Sequence, residues 1–273
     1  MVLGASGVLW FLARRAPLAE AAMASCGDLT RHPALTRQIE VERKISLAND
    51  KAVKDFEARL AASGAERVKS TRFTDVYYDT AELALTAANH YLRLRDGRWE
   101  LKVPSAGDSL TTSVFEELTT EEDIACYFAD SFPDPPTLPF GSVPRTVPRS
   151  EGGTMGVLMR FETCRSTWRL GTMSVDVDRA STGVCLAEFE MLCESETQVP
   201  RALEDIDTVC RKMGLHEEDP SSTPSSPLYA REQPPGKFER YILDREDLLA
   251  RVLRHAPHII SRFLPPPAVP DSA

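Results

Sequence analysis

Charged residues recur at every second position in segments that are otherwise predicted to be β-strands. Alternate side chains of a strand point to the same face, so each such pair shares one face. The pairs are nearly pure in sign: Glu188 and Glu190 are both acids, whereas Arg93 and Arg95 are both bases. Carboxylates held this close repel each other unless a cation joins them. The charged faces are carried by Glu40, Glu42 and Lys44; Arg93 and Arg95; Glu100 and Lys102; Asp176 and Asp178; and Glu188 and Glu190.

Two arrangements accommodate these faces. In the first, each is the solvated side of an ordinary half-buried antiparallel sheet. In the second, the apolar faces pack beneath helices and the charged faces line the inside of a closed barrel. Such a lumen suits a polyphosphate bound with a divalent cation, because carboxylates hold Mg²⁺ or Mn²⁺ and arginines bind phosphate oxygens bidentately. The sequence contains no glycine-rich loop of the P-loop type, which excludes that kind of nucleotide site.

The order of the predicted elements favours the closed barrel. Alternating and β-branched segments predict eight or nine strands joined mostly by short turns, with separate strands at 157–163 and 166–170. Asp96-Gly97 predicts a tight hairpin. Helices are predicted at 49–64, 121–132, 200–213 and 238–254. We therefore predict an α+β, mainly β fold: an eight-stranded antiparallel closed tunnel barrel decorated by helices.

Composition divides the 273 residues into three parts. Residues 1–36 are predicted to be an N-terminal extension, 37–255 a single catalytic domain with a loop insertion at 133–153, and 256–273 a disordered tail. Two interpretations of the extension stay open: a mitochondrial transit segment, since it contains arginines and few acids, or sequence upstream of a true start at Met23.

Charge and cysteine content exclude several classes of function. The formal net charge of −9 argues against a general nucleic-acid coat protein, because phosphate backbones attract basic surfaces. The six cysteines show no C-x-x-C spacing, which favours reduced thiols in the cytoplasm over a zinc site or disulfides. The apolar stretch near residue 10 is too short to span a bilayer.

Several short motifs occur in a defined order. The E-x-E-x-K signature lies in Ile39–Lys44 and is followed by TDVYYDT at 74–80, YLRLR at 91–95, WELK at 99–102, RSTW at 165–168, VDVD at 175–178 and EFE at 188–190. The first motif alone is weak, but the ordered set is specific. Over roughly residues 37–230 the chain resembles the CYTH superfamily, the triphosphate tunnel metalloenzymes, whose fold is an eight-stranded antiparallel tunnel.

The resemblance implies a role for each matching residue. The metal-binding acids of the family match Glu40, Glu42, Asp176, Glu188 and Glu190. The triphosphate-binding bases match Lys44, Arg93, Arg95, Lys102 and Arg165. Tyr77 and Lys102 match a catalytic pair, and Glu117 matches a supporting acid. Tyr91 stands where thiamine triphosphatases carry a tryptophan that meets the cationic thiazolium, and a tyrosine can also make a cation–π contact.

Within the family, the motif set is most similar to vertebrate thiamine triphosphatases. This implies Mg²⁺-dependent hydrolysis (Mn²⁺ being the alternative ion) of thiamine triphosphate to thiamine diphosphate and phosphate. Inorganic tripolyphosphate stays open as the substrate, as do the reactions of the RNA triphosphatases and class IV adenylate cyclases of the family. We expect a monomer whose partner is a small-molecule triphosphate, with no nucleic acid or membrane, located in the cytoplasm unless residues 1–36 target mitochondria.

Two details bear on catalysis. The family has a further phosphate-binding lysine in a segment that precedes a conserved tyrosine. When Tyr229 is aligned with that tyrosine, Ser225 or Ser226 stands in place of the lysine, and Lys237 is the alternative residue for this contact. Because one phosphate contact is then missing, the alternative of a weakly active triphosphate-binding module stays open. We also expect Arg93 and Arg95 to lower the pKa of Lys102 by like-charge repulsion.

Overall fold

A closed barrel of eight antiparallel strands forms the centre of the protein, in the order β1-β5-β4-β3-β2-β6-β7-β8. The computed structural model describes residues 38–107, 111–140, 153–215 and 234–264. The strands are β1 (Gln38–Leu47), β2 (Glu66–Asp79), β3 (Tyr91–Arg95), β4 (Arg98–Pro104), β5 (Ser113–Leu118), β6 (Gly156–Leu170), β7 (Met173–Ala180) and β8 (Cys185–Cys193). The predicted eight-stranded tunnel barrel is confirmed.

Helices pack on the outside of the barrel. They are α1 (Asp50–Ala62), α2 (Ala84–Ala87), α3 (Glu121–Ser131), α4 (Val199–Lys212), α5 (Lys237–Leu243), α6 (Glu246–His255) and α7 (Pro257–Ile260), with 3₁₀ turns at Glu196–Gln198 and Ser261–Phe263. The predicted cap of α1 is present, since the Asn49 side chain accepts a hydrogen bond from the Ala52 amide at 3.0 Å. The chain leaves α1 through Gly64, whose φ of +82° suits glycine.

The largest core lies between the barrel wall and the helices, not inside the barrel. Val41, Val177 and Phe189 are fully buried there with Phe56 of α1 and Ile206 of α4. The charged residues that alternate with these apolar ones point the opposite way, because successive strand side chains alternate between faces. The second of the two arrangements is therefore the one the chain adopts, and the charged faces line the lumen.

Two elements differ from the sequence prediction. The segment predicted as two strands is one 15-residue strand, β6, because β2 pairs with it over nearly its whole length. The helix predicted over 238–254 is two helices, since Arg245 adopts an extended conformation with φ −135° and ψ 109°. Its guanidinium lies 3.5 Å from the centre of the Tyr241 ring, and this bend brings α6 back onto α5.

The C-terminal boundary of the predicted domain is too early. The tail was predicted to be disordered from residue 256, whereas helical structure continues to Phe263 because Ile259 and Ile260 are buried in a core with Phe238 and Ile242. In the predicted loop insertion, Phe140 packs on Trp99 with ring centres 4.6 Å apart. The extension at 1–36 and most of the tail lie outside the described residues, so their assignment stays a prediction. Within the described ranges, no helix has the length and apolar character needed to cross a bilayer.

Candidate active site

The barrel lumen contains a cavity of about 470 Å³, a volume typical of pockets that bind small organic ligands. Every predicted site residue except Asp176 lines it. The lining side chains include Glu40, Glu42, Glu188, Glu190, Lys44, Arg93, Arg95, Lys102, Arg165, Tyr77 and Tyr91. The fold thus brings together residues that lie as much as 150 positions apart in the sequence.

Three carboxylates converge on one side of this cavity. Glu42 on β1 lies directly opposite Glu190 on β8 in the strand register, and Glu40 is the next inward residue along β1. One oxygen from each of the three lies within 4.8 Å of the others. Burial, and then repulsion from Glu40 and Asp176, hold the pKa of Glu190 well above its ordinary value. Three oxygen donors whose charges repel one another are a suitable site for a hard divalent cation such as Mg²⁺.

Two lysines border this group of three carboxylates. Lys102 donates to Glu40 and lies 3.6 Å from a Glu42 oxygen, and Lys44 donates to Glu42. Burial acts to lower the pKa of Lys102, but Glu40, Glu42 and Glu117 outweigh it and hold that pKa well above its ordinary value. The predicted lowering by Arg93 and Arg95 is therefore wrong, because acids on other strands, not those arginines, dominate the field at the ammonium group.

Acids on other strands orient the two arginines of β3. Arg95 binds Asp75 bidentately, with Nε–Oδ1 2.7 Å and Nη2–Oδ2 3.0 Å, and the Asp75 side chain is fully buried. Arg93 donates from Nε to Glu100 Oε2 at 2.6 Å and from Nη2 to Glu117 Oε1 at 3.3 Å. Both guanidinium groups are thus fixed in position before a ligand binds.

A second charged cluster surrounds Arg165 on β6. Its Nε and Nη2 donate to the two carboxylate oxygens of Asp178 at 2.7 and 2.6 Å, and Nη2 also donates to Glu188 at 2.8 Å. Asp176 accepts from Arg165 and from the Thr167 hydroxyl. Burial acts to raise the pKa of Glu188, but Lys237 and Arg165 outweigh it and hold that pKa well below its ordinary value.

The five predicted metal-binding acids thus fall into two groups in this structure. Glu40, Glu42 and Glu190 form the carboxylate group, whereas Asp176 and Glu188 contact Arg165. Whether the last two also bind metal stays a prediction.

Lys237, named in the sequence only as a possible substitute, lies in the lumen. It is 7% exposed and comes from the first turn of α5. Its Nζ donates to Asp178 and, at 3.0 Å, to Glu188. Ser225, Ser226 and Tyr229 lie outside the described residues. Asp178 and Asp75, which the sequence did not single out as site residues, are the buried acids that orient the cations.

Four aromatic rings also line the cavity: Tyr77, Tyr91, Phe115 and Phe238. The Phe238 ring centre lies 5.2 Å from that of Tyr77 and 4.9 Å from that of Tyr91, and Tyr91 lies 5.8 Å from Phe115. The Tyr91 hydroxyl donates to Asn89 Oδ1 at 2.7 Å. The lumen therefore combines carboxylates, cations and an aromatic wall.

Comparison with known proteins identifies the family. The family model of the CYTH domain matches residues 38–222, which is most of the chain. The protein belongs to the CYTH family. The predicted family is confirmed, and the match ends before α5, α6 and α7, which begin at Lys237.

Two curated relatives of this CYTH protein are thiamine triphosphatases. The one from Homo sapiens is 34% identical over 195 residues, and the match covers 65% of this chain and 78% of that protein. The one from Macaca fascicularis is 34% identical over 190 residues, with the same two shares.

Solved structures with a similar fold are more distant in sequence. A protein from Vibrio parahaemolyticus, provisionally assigned as an adenylate cyclase, has a TM-score of 0.47 and 19% identity and covers 76% of this chain and 99% of its own. A protein from Hippeastrum, provisionally assigned as an adenylyl cyclase and described as having a dominant triphosphatase activity, has a TM-score of 0.41 and 19% identity, with shares of 68% and 92%.

Proposed function

We propose that this protein hydrolyses thiamine triphosphate to thiamine diphosphate and phosphate in the barrel lumen, with Mg²⁺ as cofactor. The broader enzyme class, a hydrolase that acts on a phosphoric anhydride bond, follows from the family and from relatives that are thiamine triphosphatases. The observation that carries the proposal is the pairing of a carboxylate group with a wall of oriented cations in one cavity. A triphosphate complements both at once.

Glu40, Glu42 and Glu190 are the residues that would hold the ion. Mg²⁺ bound there would offset the charge that develops on phosphate oxygens as the terminal anhydride bond breaks. Asp176 and Glu188 were expected to join this set, but both contact Arg165. We therefore propose that their main task is to orient that guanidinium.

The cations bind the phosphates along the lumen. Phosphoryl transfer depends mainly on positioning and on electrostatic stabilisation, and guanidinium groups already fixed by ion pairs need little reorganisation to provide it. In this proposal the substrate phosphates are contacted by Lys44, Arg93, Arg95, Lys102, Arg165 and Lys237.

Lys102 and Tyr77 are the proposed catalytic pair. Lys102 borders the carboxylate group through Glu40, so its ammonium group would lie beside the metal-bound phosphates and stabilise the leaving diphosphate oxygen. Tyr77 lies opposite Arg93 in the register of β2 and β3, which places its phenol in the same part of the lumen wall.

The proposal is tested by kcat/KM for thiamine triphosphate, inorganic tripolyphosphate and ATP, each measured with Mg²⁺ and with EDTA. We expect a preference for thiamine triphosphate and loss of activity in EDTA. A preference for tripolyphosphate would agree with triphosphatase activity but would refute thiamine triphosphate as the substrate. Tyr91 in place of tryptophan would favour that outcome. Tight binding of triphosphates without phosphate release would instead identify a binding module.

A further inference from the structure

Helix α5 lies outside the part of the chain that matches the CYTH family model, yet its start contributes to the wall of the lumen. The match ends at residue 222, whereas α5 begins at Lys237. Its first two residues, Lys237 and Phe238, both line the cavity. Part of the wall of the site is therefore built by a segment that the family model does not describe.

Phe238 joins the two tyrosines of the aromatic wall. Its ring meets Tyr91 nearly edge to face, at 81°, and Tyr77 at 64°, and such geometries are the favourable ones for aromatic pairs. Tyr91 continues the contact to Phe115 at an angle of 76°. The four rings thus form one connected surface, with Phe238 between Tyr77 and Tyr91.

This surface lies beside the cations that we assign to the phosphates. Tyr91 is opposite Lys102 in the register of β3 and β4, and Tyr77 is opposite Arg93 in that of β2 and β3. The rings are therefore within reach of the organic part of a ligand whose phosphates contact Lys102 and Arg93. The ion pairs of Arg93 with Glu100 and Glu117 offset part of its charge, which reduces its repulsion of a positively charged group.

The position of Phe238 is firmly determined. Ile242, one turn further along α5, is fully buried, as are Val252 of α6 and Ile260 of α7. Gly236, the residue before α5, is packed so closely on Lys44 that an added Cβ would lie 3.2 Å from Lys44 Cε. These contacts fix the start of α5, so the Phe238 ring is held in one position.

We propose that Phe238 is a specificity-determining residue, which closes the aromatic wall against which the organic head of a heteroaromatic, cationic triphosphate packs. The proposal rests on the proposed function and deepens it. The ring then strengthens binding of such a substrate and contributes nothing to inorganic tripolyphosphate, which has no organic head. The proposed contact is of the cation–π type, in which a positive group lies over an aromatic face.

The test compares steady-state kinetics of Phe238 variants on both substrates. Phe238→Leu and Phe238→Met are expected to raise KM for thiamine triphosphate about five- to tenfold, in line with loss of one cation–π contact, with kcat and the KM for tripolyphosphate unchanged within about twofold. Phe238→Tyr keeps the ring and is expected to retain the wild-type KM. Thermal melting of each variant establishes that it is folded.

Phe161→Leu is the matched control. Phe161 stacks on Tyr77 with ring centres 5.8 Å apart and belongs to the same core as Phe238, but it is not among the described residues that line the cavity. Its substitution is expected to affect the two substrates equally.

The outcomes separate the two proposals. If the wild-type protein cleaves tripolyphosphate and not thiamine triphosphate, the proposed function fails and the role of Phe238 fails with it. If the wild type prefers thiamine triphosphate but Phe238→Leu raises both KM values equally, or behaves like Phe161→Leu, only the role of Phe238 is refuted.

Discussion

Glu190 shows at the scale of one residue why the lumen suits a cation. Its carboxylate belongs to a group with Glu40 and Glu42, and burial together with repulsion from Glu40 and Asp176 raises its pKa well above the ordinary value. A divalent ion at this point would remove the repulsion, whereas a neutral side chain would lack the charge to attract the ion.

Replacing this carboxylate should weaken metal binding. Glu190→Gln keeps the shape but removes one charged oxygen donor, so we expect Mg²⁺ affinity to fall at least about tenfold. That is the lower end of the loss seen when a residue that only hydrogen-bonds to a metal ligand is replaced. The rise in melting temperature on adding Mg²⁺ measures the effect. Glu194→Gln, at an exposed position just beyond β8, serves as the control, and an equal Mg²⁺ response in both variants would remove Glu190 from the metal site.

Lys102 should be essential for turnover. Lys102→Ala removes the ammonium group that we place at the leaving diphosphate oxygen, and loss of one preorganised donor of this kind costs about 100- to 1,000-fold in kcat. Phosphate release measured beside Lys54→Ala, an exposed lysine of α1, checks this. A normal kcat in Lys102→Ala would exclude the residue from the mechanism.

The sequence predicted which residues line the lumen but not which of them touch. Alternation along single strands placed Glu40, Lys102 and Arg93 on inward faces. It could not show that only β5 separates β1 from β4 in the barrel, so that Glu40 contacts Lys102. The pKa of Lys102 was mispredicted for this reason, because its sequence neighbours on β3 are less influential than acids from β1.

At the scale of elements, the junction of α2 and β3 depends on a neutral histidine. His90 is 9% exposed, and its Nδ1 and Nε2 lie 2.6 Å from the Ala88 carbonyl and from the Tyr127 hydroxyl of α3. The carbonyl can only accept, so Nδ1 donates and Nε2 accepts from Tyr127. Burial lowers the pKa of His90 to about 4, and the junction is thus built for the uncharged ring.

This histidine should make stability fall in mild acid. Its folded pKa lies below the unfolded value of about 6.5, so the unfolded chain binds the proton first, and stability present above pH 6.5 is lost as the pH falls towards 4. The loss attributable to His90 is at most about 3 kcal/mol. Urea unfolding at several pH values measures it. His90→Gln should flatten this part of the profile, whereas His255→Gln should not, and identical profiles in all three proteins would contradict the assignment.

Element boundaries were predictable where a local signal exists. Asn49 and Gly64 mark the two ends of α1: the Asn49 side chain caps the helix, and Gly64 adopts the positive φ that glycine allows. The sequence has no glycine or proline at the break between α5 and α6 that would predict it. The break arises because Arg245 packs on Tyr241 while Leu248 and Ile242 share a core, and such a tertiary cause is not visible in a helical pattern.

At the scale of the whole molecule, the fold was the most predictable property. The period of two in the strands and the ordered motifs both indicated the closed barrel, and the barrel is present. The C-terminal segment was not predictable in the same way, because Lys237 and Phe238 show no alternation that would assign them to the lumen. Their position follows from burial of Ile242, Ile259 and Ile260 against the barrel.

A ligand that contacts many strands should stabilise the entire barrel. Mg²⁺ with a non-hydrolysable imido analogue of tripolyphosphate would contact β1, β3, β4, β6 and β8 together. At 100 times the dissociation constant, such binding adds about 2.7 kcal/mol to the free energy of unfolding, which for a domain of this size raises the melting temperature by roughly 5–10 °C. The analogue without Mg²⁺ should give a smaller rise, and inorganic sulfate a negligible one. An unchanged melting temperature with the complete ligand would contradict binding in the lumen.

Phosphorus NMR of thiamine triphosphate incubated with the purified protein tests the central claim most directly, because it identifies which bond breaks. With Mg²⁺, we predict that the triphosphate resonances are replaced by those of thiamine diphosphate and inorganic phosphate, and that EDTA prevents the change. Release of pyrophosphate, or unchanged spectra with Mg²⁺ present, would contradict the account.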